Sequence, residues 1–275
     1  MIHGKVAAFV LFPALAFSQG GPPFLSDDPD TPGNRHWEVN LGFIGDRSPS
    51  GGSYSTPDID INYGIGDRIQ LKYETPLSMQ EMRGGSGQLA AGLGNSLLGV
   101  KYRFYQHHSK TRVRDGERVV KFSVSMYPQL LLNNPTSSVA RGIVEPGPQL
   151  LLPLEANANY GWIRFSGEVG YWLTSKDVPN SWIQGIVAGH EFRPDTELYM
   201  ELHDQVGVAA GTQKFRETTL GLGGRVPLVR GRWLRLIGMG GHGLVPATSA
   251  NGQPTWIAYV GLQFLSDRRR RHGEE

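Results

Sequence analysis

From position 35 to position 264 the chain alternates apolar and polar residues in twelve short stretches. The last one, Trp256-Ile-Ala-Tyr-Val-Gly-Leu-Gln-Phe264, shows the pattern. Trp256, Ala258, Val260, Leu262 and Phe264 fall on one face and Thr255, Ile257, Tyr259, Gly261 and Gln263 on the other, because side chains alternate faces along a strand. The pattern predicts strands at 35–44, 57–65, 67–75, 95–105, 119–128, 143–152, 160–171, 182–192, 196–205, 215–226, 233–242 and 255–264. The connections sort by length. Those at 45–56, 76–94, 129–142, 172–181, 206–214 and 243–254 are long, whereas 65–67, 153–159, 193–195 and 227–232 are short. Alternating long and short connections between an even number of strands predict an all-β, antiparallel, up-and-down transmembrane β-barrel of twelve strands, with surface loops at one end and periplasmic turns at the other. A crossing strand needs about 9–11 residues, which these stretches supply. One connection, the polar segment 106–118, is long where a short turn is expected.

Aromatic placement adds an independent sign. Trp37, Trp162, Trp172, Trp182, Trp233 and Trp256 lie at or near expected strand ends, as do Tyr73, Tyr102, Tyr105, Tyr127, Tyr160 and Phe264. Rings with an apolar body and a polar edge collect at membrane interfaces. A soluble barrel or sandwich would instead turn its apolar face inward and would have to pack a charged face as core, at high cost.

The first eighteen residues read as an export leader. Met1 to Lys5 carries the positive end and Val6 to Phe17 is apolar but too short to span a bilayer. Ala16-Phe-Ser18 offers a cleavage site that would start the mature chain near Gln19, and Ala14-Leu-Ala16 offers a second. The expected organisation is therefore a signal peptide at 1–18, a Pro/Asp-rich segment at 19–34, a barrel at 35–264 and a basic periplasmic tail at 265–275. Export to the cell outer membrane follows, with outer-membrane lipids and the barrel assembly machinery as expected partners. The chain has no cysteine, which leaves no lipoprotein anchor or disulfide framework. Its net charge of +2 gives no basic footprint for nucleic acid.

The polar face is the main functional signal. With the apolar set turned to lipid, the expected lumen-lining residues are Glu38, Asp58, Asp60, Arg68, Lys72, Glu74, Lys101, Arg103, Lys121, Arg164, Glu168, Glu197, Glu201, His203 and Arg235, joined by Asn40, Asn62, Gln70, Ser123, Ser125, Ser166, Glu217 and Arg225. Charges of both signs support either cross-strand ion pairs that fill the barrel or a polar channel of little net ion preference. His190 and Gln184 have no assigned face.

Three features depart from a plain barrel. Pro146 and Pro148 fall in the sixth expected strand, where each removes a ladder donor, so that strand is bulged or starts near Gly147. Arg268 to Arg271 follow the last strand, either against anionic headgroups or simply solvated. Residues 20–34 are too rich in proline and aspartate for regular structure. They read as an extended tail or as a plug folded into the lumen, with Phe24, Asp27, Asp28 and Asp30 as plug candidates. Asp28 and Asp30 before Gly33 do not make an EF-hand, because Pro32 and Val39 stand at ligand positions. No metal or cofactor is expected.

Phe24-Leu-Ser-Asp-Asp-Pro-Asp-Thr, His36-Trp-Glu-Val, Tyr63-Gly-Ile-Gly-Asp-Arg-Ile-Gln-Leu and Gly147-Pro-Gln-Leu-Leu-Leu-Pro together resemble an outer-membrane β-barrel family labelled as components of meta-pathway phenol degradation, whose members are described as transporters. The resemblance implies a barrel and the passage or sensing of small molecules, aromatic ones among them; it supplies no binding residues. A lipid-modifying outer-membrane hydrolase would need serine, histidine and an orienting group together. His36, His190, His203 and His242 belong to no such constellation, and His107-His108 point to opposite faces of a strand. No catalytic residue is assigned. The sequence thus predicts a channel or transporter for small, hydrophobic or aromatic solutes, with a closed structural or adhesion barrel as the alternative.

Overall fold

The structure is a computed structural model that describes residues 21–49, 51–81, 88–113, 116–175, 178–208, 215–230, 232–245 and 255–266. The expected leader at 1–18 and the arginines at 268–271 lie outside the described residues. Fourteen strands among the described residues form one antiparallel sheet, and these residues contain no helix. They are β1 (Trp37–Ser48), β2 (Gly51–Ile65), β3 (Ile69–Glu81), β4 (Leu89–Leu93), β5 (Ser96–Val113), β6 (Gly116–Met126), β7 (Gln129–Leu132) and β8 (Gln149–Tyr160). The series continues with β9 (Ile163–Leu173), β10 (Asn180–Arg193), β11 (Thr196–Val208), β12 (Arg216–Pro227), β13 (Leu234–Gly243) and β14 (Trp256–Leu265).

Fourteen strands make twelve staves. β4 and β5 are successive parts of one stave that pairs with β3, interrupted at Gly94-Asn95. β6 and β7 are parts of another, interrupted at Tyr127-Pro128, and both pair with β5 and β8. The sheet closes where β1 pairs with β14 from Glu38↔Leu265 to Arg47↔Trp256. Closure leaves no edge, as an up-and-down transmembrane barrel requires.

The period-2 pattern sets which face meets lipid. Leu41, Phe43, Leu71, Val100, Phe165, Val169, Ile186, Leu198, Met200, Leu222 and Val260 are exposed on the outside. Residues at alternate positions of the staves, Asn40, Asp58, Asp60, Lys72, Lys101, Ser166 and Glu201 among them, are buried inside. Such an apolar exterior is costly in water and favourable in hydrocarbon.

Several boundaries differ from the sequence reading. The 45–56 connection is a tight hairpin, because β1 and β2 stay paired out to Ser48↔Gly51. The polar stretch 106–118 is also ladder, with pairing from Tyr105↔Val124 to Val113↔Gly116. Gln106 is half-buried and His107 to Lys110 are exposed, so this stretch is wet on both faces and its sequence loses the apolar alternation. The sixth stave is 149–160, not 143–152, and the seventh starts at Ile163. Pro146 and Pro148 precede it, whereas Pro153 lies within it, level with the Tyr127-Pro128 interruption where continuous pairing with β6 and β7 is already broken. A proline fits a closed wall there because the neighbouring stave demands no donor.

Candidate functional site

The segment before β1 runs inside the barrel. Pro22, Pro23, Pro29 and Pro32 keep it out of any ladder, so its remaining amides need acceptors from the wall. Glu201 on β11 accepts from Leu25 N at 3.1 Å and from Ser26 N at 2.7 Å, using one carboxylate oxygen for each. Glu168 on β9 accepts from Asp27 N at 2.9 Å. Phe24 meets the Tyr199 ring edge-on at 4.9 Å, and Leu25 packs with Met239 and Ile257. Two wall glycines permit this close approach. A Cβ on Gly185 would lie 1.8 Å from Ser26 Oγ, and one on Gly64 would lie 1.9 Å from the Gly33 carbonyl oxygen.

Side-chain charge completes the lock. Lys101, 1% exposed, places Nζ 2.8 Å from Asp27 Oδ1 and 3.4 Å from Glu155 Oε2, donates to the Asp28 carbonyl, and sits 4.5 Å above the Tyr127 ring. Asp30 is held by Lys121 at 2.7 Å, Arg164 at 3.5 Å and Arg103 at 3.6 Å. Arg164 also reaches Asp28 at 3.3 Å. Burial alone would raise the Asp30 carboxyl, but Arg164, Lys121 and Arg103 outweigh it and bring the group down to about 2. Asp28 goes the other way, raised by burial and by the charge of Asp30 beside it. The segment therefore presents amide donors to an acidic strip and carboxylates to a basic one.

The rest of the expected lining is tied into the wall. Lys72 lies 2.8 Å from Glu74 and 3.7 Å from Asp60, and Asn40 and Asn62 each donate to Asp60 at 3.0 Å. Asp58 and His203 are buried on the same interior surface, and Glu38 accepts from Asn40 at 3.3 Å. Glu197 pairs with Arg225 at 2.8 Å, and Arg235 with Asp195 at 2.6 Å. Arg68 is a correction. It stands in the 66–68 turn and is exposed, and only its carbonyl takes part, accepting from Arg103 N at 2.8 Å. Its alternation with Gln70 places it on the interior face only if the strand reaches that far, and β3 begins at Ile69.

Sequence reasoning missed Glu155 and Tyr127, both fully buried. Glu155 was hidden because Pro153 makes 153–159 look like a turn, although the Leu152, Leu154, Ala156, Ala158 alternation was readable. An interior apolar cluster of Leu97, Leu131, Leu151, Trp172 and Ile183 was missed as well. Gln184 faces outward beside Asp204, to which it donates at 3.1 Å, while His190 meets Trp162 and Phe192 edge-on. A cavity of about 540 Å³ remains between the segment and the turn end of the barrel, with Phe24, Glu38, Tyr199, Arg225, Trp233 and Arg235 among its lining residues. Among the described residues, no three His, Cys, Asp or Glu side chains are placed to hold a metal.

Comparison with solved structures places this geometry. An outer membrane channel from Pseudomonas putida F1 superposes with a TM-score of 0.61 over 87% of this chain and 98% of its own, at 13% sequence identity. This chain has the fold of that barrel. OccK2 of Pseudomonas aeruginosa, solved with glucuronate, is far looser at a TM-score of 0.39 and 9% identity, covering 85% of this chain and 97% of its own. OmpF of Salmonella typhi, solved with daunomycin, gives 0.40 and 9%, covering 84% and 96%. No protein-family model matches the chain, and no curated protein does, so the phenol-degradation resemblance remains a likeness of short motifs.

Proposed function

We propose that this chain is an outer-membrane channel for small solutes whose lumen is obstructed by its own residues 21–34. One observation carries the reading: the obstruction is held by ion pairs and amide-to-carboxylate hydrogen bonds, not by a continuous apolar core or a ladder. Each of these contacts can be replaced by hydration of the separated groups without opening the wall, whereas strand pairing cannot be lost without opening it. The surrounding wall is closed on its own, so the segment can leave without breaking it. Solutes of one or two rings fit the cavity by volume, which lies within the range of about 300–1,000 Å³ usual for small-molecule sites, and its largely charged and polar wall carries Phe24, Tyr199 and Trp233 as faces for a ring. The short motifs shared with the phenol-degradation barrels favour the same class. Among the described residues, no interior serine hydroxyl is hydrogen-bonded to a histidine, which favours passage over catalysis.

The test is single-channel recording in planar bilayers with folded protein, identified by its heat-dependent gel mobility. Removing residues 21–34 is expected to raise unitary conductance several-fold. Equal conductance with and without the segment would sink the obstruction and favour an interior filled by the wall's own ion pairs.

A further inference from the structure

The cations that hold the segment form a site in their own right. Arg103 on β5, Lys121 on β6 and Arg164 on β9 converge on one carboxylate, that of Asp30, at 3.6, 2.7 and 3.5 Å. Lys101, one turn of the pleat away on β5, takes a second carboxylate, Asp27, at 2.8 Å. Four positive groups thus answer three aspartates of the segment, Asp28 being shared through Arg164 at 3.3 Å. Wall carboxylates do little to neutralise this strip. Among the described residues, only Lys101 of the four cations has a wall carboxylate in ion-pair range, Glu155 at 3.4 Å. Arg103, Lys121 and Arg164 have their ion-pair partners among the described residues in the segment alone. Once the segment leaves, they stand together, unpaired, on one wall of a narrow lumen. Like charges so arranged repel one another and attract an anion strongly.

We propose that Arg103, Lys121 and Arg164 form an anion-binding site, that Asp30 fills it as a built-in ligand, and that a compact polycarboxylate competes with the segment for it and so releases the obstruction. This rests on the reading of residues 21–34 as a reversible obstruction. The ligand class follows from the segment itself: several carboxylates a few bonds apart, matched to guanidinium and ammonium donors. A monovalent anion meets only one carboxylate's worth of the site and competes poorly against three linked aspartates. The polycarboxylate is the effector; the cavity lined by Phe24 and Tyr199 remains the place for the solute.

Propane-1,2,3-tricarboxylate is the probe, titrated in planar-bilayer recordings at constant ionic strength, with chloride as the counterpart. In the full chain the probe is expected to increase the fraction of time spent at high conductance, where chloride does not. Asp27→Asn/Asp28→Asn/Asp30→Asn should show high conductance without the probe, and the probe should then lower its preference for anions over cations by neutralising the vacated cations. Arg103→Gln/Lys121→Gln should raise the probe concentration needed for either effect by at least about tenfold. Indifference of both the full chain and the triple-Asn variant to the probe, or an unchanged response in Arg103→Gln/Lys121→Gln, overturns the anion site. If the triple-Asn variant conducts like the full chain, the obstruction reading is what fails. Calorimetric titration of the triple-Asn variant then decides the site separately: probe binding weakened by Arg103→Gln/Lys121→Gln retains it, and the absence of binding removes it.

Discussion

Lys101→Met removes the one cation that joins the segment to the wall at its deepest point. The side chain keeps its length and apolar stem but loses the ammonium, which stands 2.8 Å from Asp27 and 3.4 Å from Glu155. At an effective dielectric near 20, those two attractions are each about 5–6 kcal/mol before desolvation is charged against them. Breaking one partner out of a buried pair typically leaves a net cost of about 3–5 kcal/mol, because the remaining carboxylates stay buried without compensation. The protein has a cheaper way out than unfolding: Asp27 can move to water with the segment, leaving Glu155 with its hydrogen bond from Ser125 at 2.6 Å. The expected loss therefore appears as release of the segment, with barrel stability nearly intact. A cost of about 3 kcal/mol corresponds to roughly a hundredfold faster hydrogen exchange at the Leu25, Ser26 and Asp27 amides, which are held by Glu201 and Glu168. Adding Asp27→Asn to Lys101→Met should recover part of the protection. Unchanged exchange at these three amides in Lys101→Met would refute the reasoning.

Further expectations come from the same geometry. Gly64→Ala forces a Cβ against the Gly33 carbonyl, now 1.9 Å from that position, and should cost about 1–3 kcal/mol in a denaturant titration; a neutral result would mean that the chain entering β1 does not lie on β2. Acid should loosen the segment. Asp30, depressed from 3.8 to about 2 by Arg164, Lys121 and Arg103 against the cost of burial, contributes stability that is present above pH 3.8 and lost as pH falls through about 2. That is roughly 2 kcal/mol, partly offset by the raised Asp28, so conductance should rise between pH 4 and 2 and Asp30→Asn should abolish the rise. Glu145, in the connection between β7 and β8, behaves oppositely: burial lifts it to about 7, so its contribution is complete below 4.5 and lost as pH rises through about 7. Proteolysis within 133–148 should accelerate as pH rises from about 4.5 to about 7 and level off beyond, and Glu145→Gln should remove that pH dependence.

The wall was readable because a barrel strand sees lipid on one face and polar groups on the other, and Trp256 to Phe264 write that difference directly. The count of twelve staves follows from the same signal, whereas the connection 45–56, which it showed as long, is a tight hairpin. The signal failed where both faces share one environment. Residues 106–110 are wet on both sides, and Leu97, Leu131, Leu151 and Trp172 put apolar groups inside. Pro153 misled for a different reason. Its missing donor is harmless only because the neighbouring stave is itself broken at Tyr127-Pro128, a fact of pairing between residues about 25 positions apart that no local pattern contains. Facing could be read for most charged residues, as for Lys101 and Glu201. Partnership could not, since Asp30 meets Lys121 and Arg164 from two strands far along the chain. Proline and aspartate in 20–34 announced an irregular segment and left its position open between tail and plug.

The account turns on residues 21–34 lying within the barrel, and a tether tests this most directly. The chain has no cysteine, so Ser26→Cys/Gly185→Cys introduces a single pair. Ser26 Cβ is 2.9 Å from the position of a Cβ on Gly185, and a shift of about 0.6 Å reaches disulfide spacing. In folded protein in native membranes, mild oxidation should cross-link the pair nearly completely, giving a mobility shift that reverses on reduction. Two thiols that stay free and alkylatable in the folded barrel would place the segment elsewhere and contradict the account.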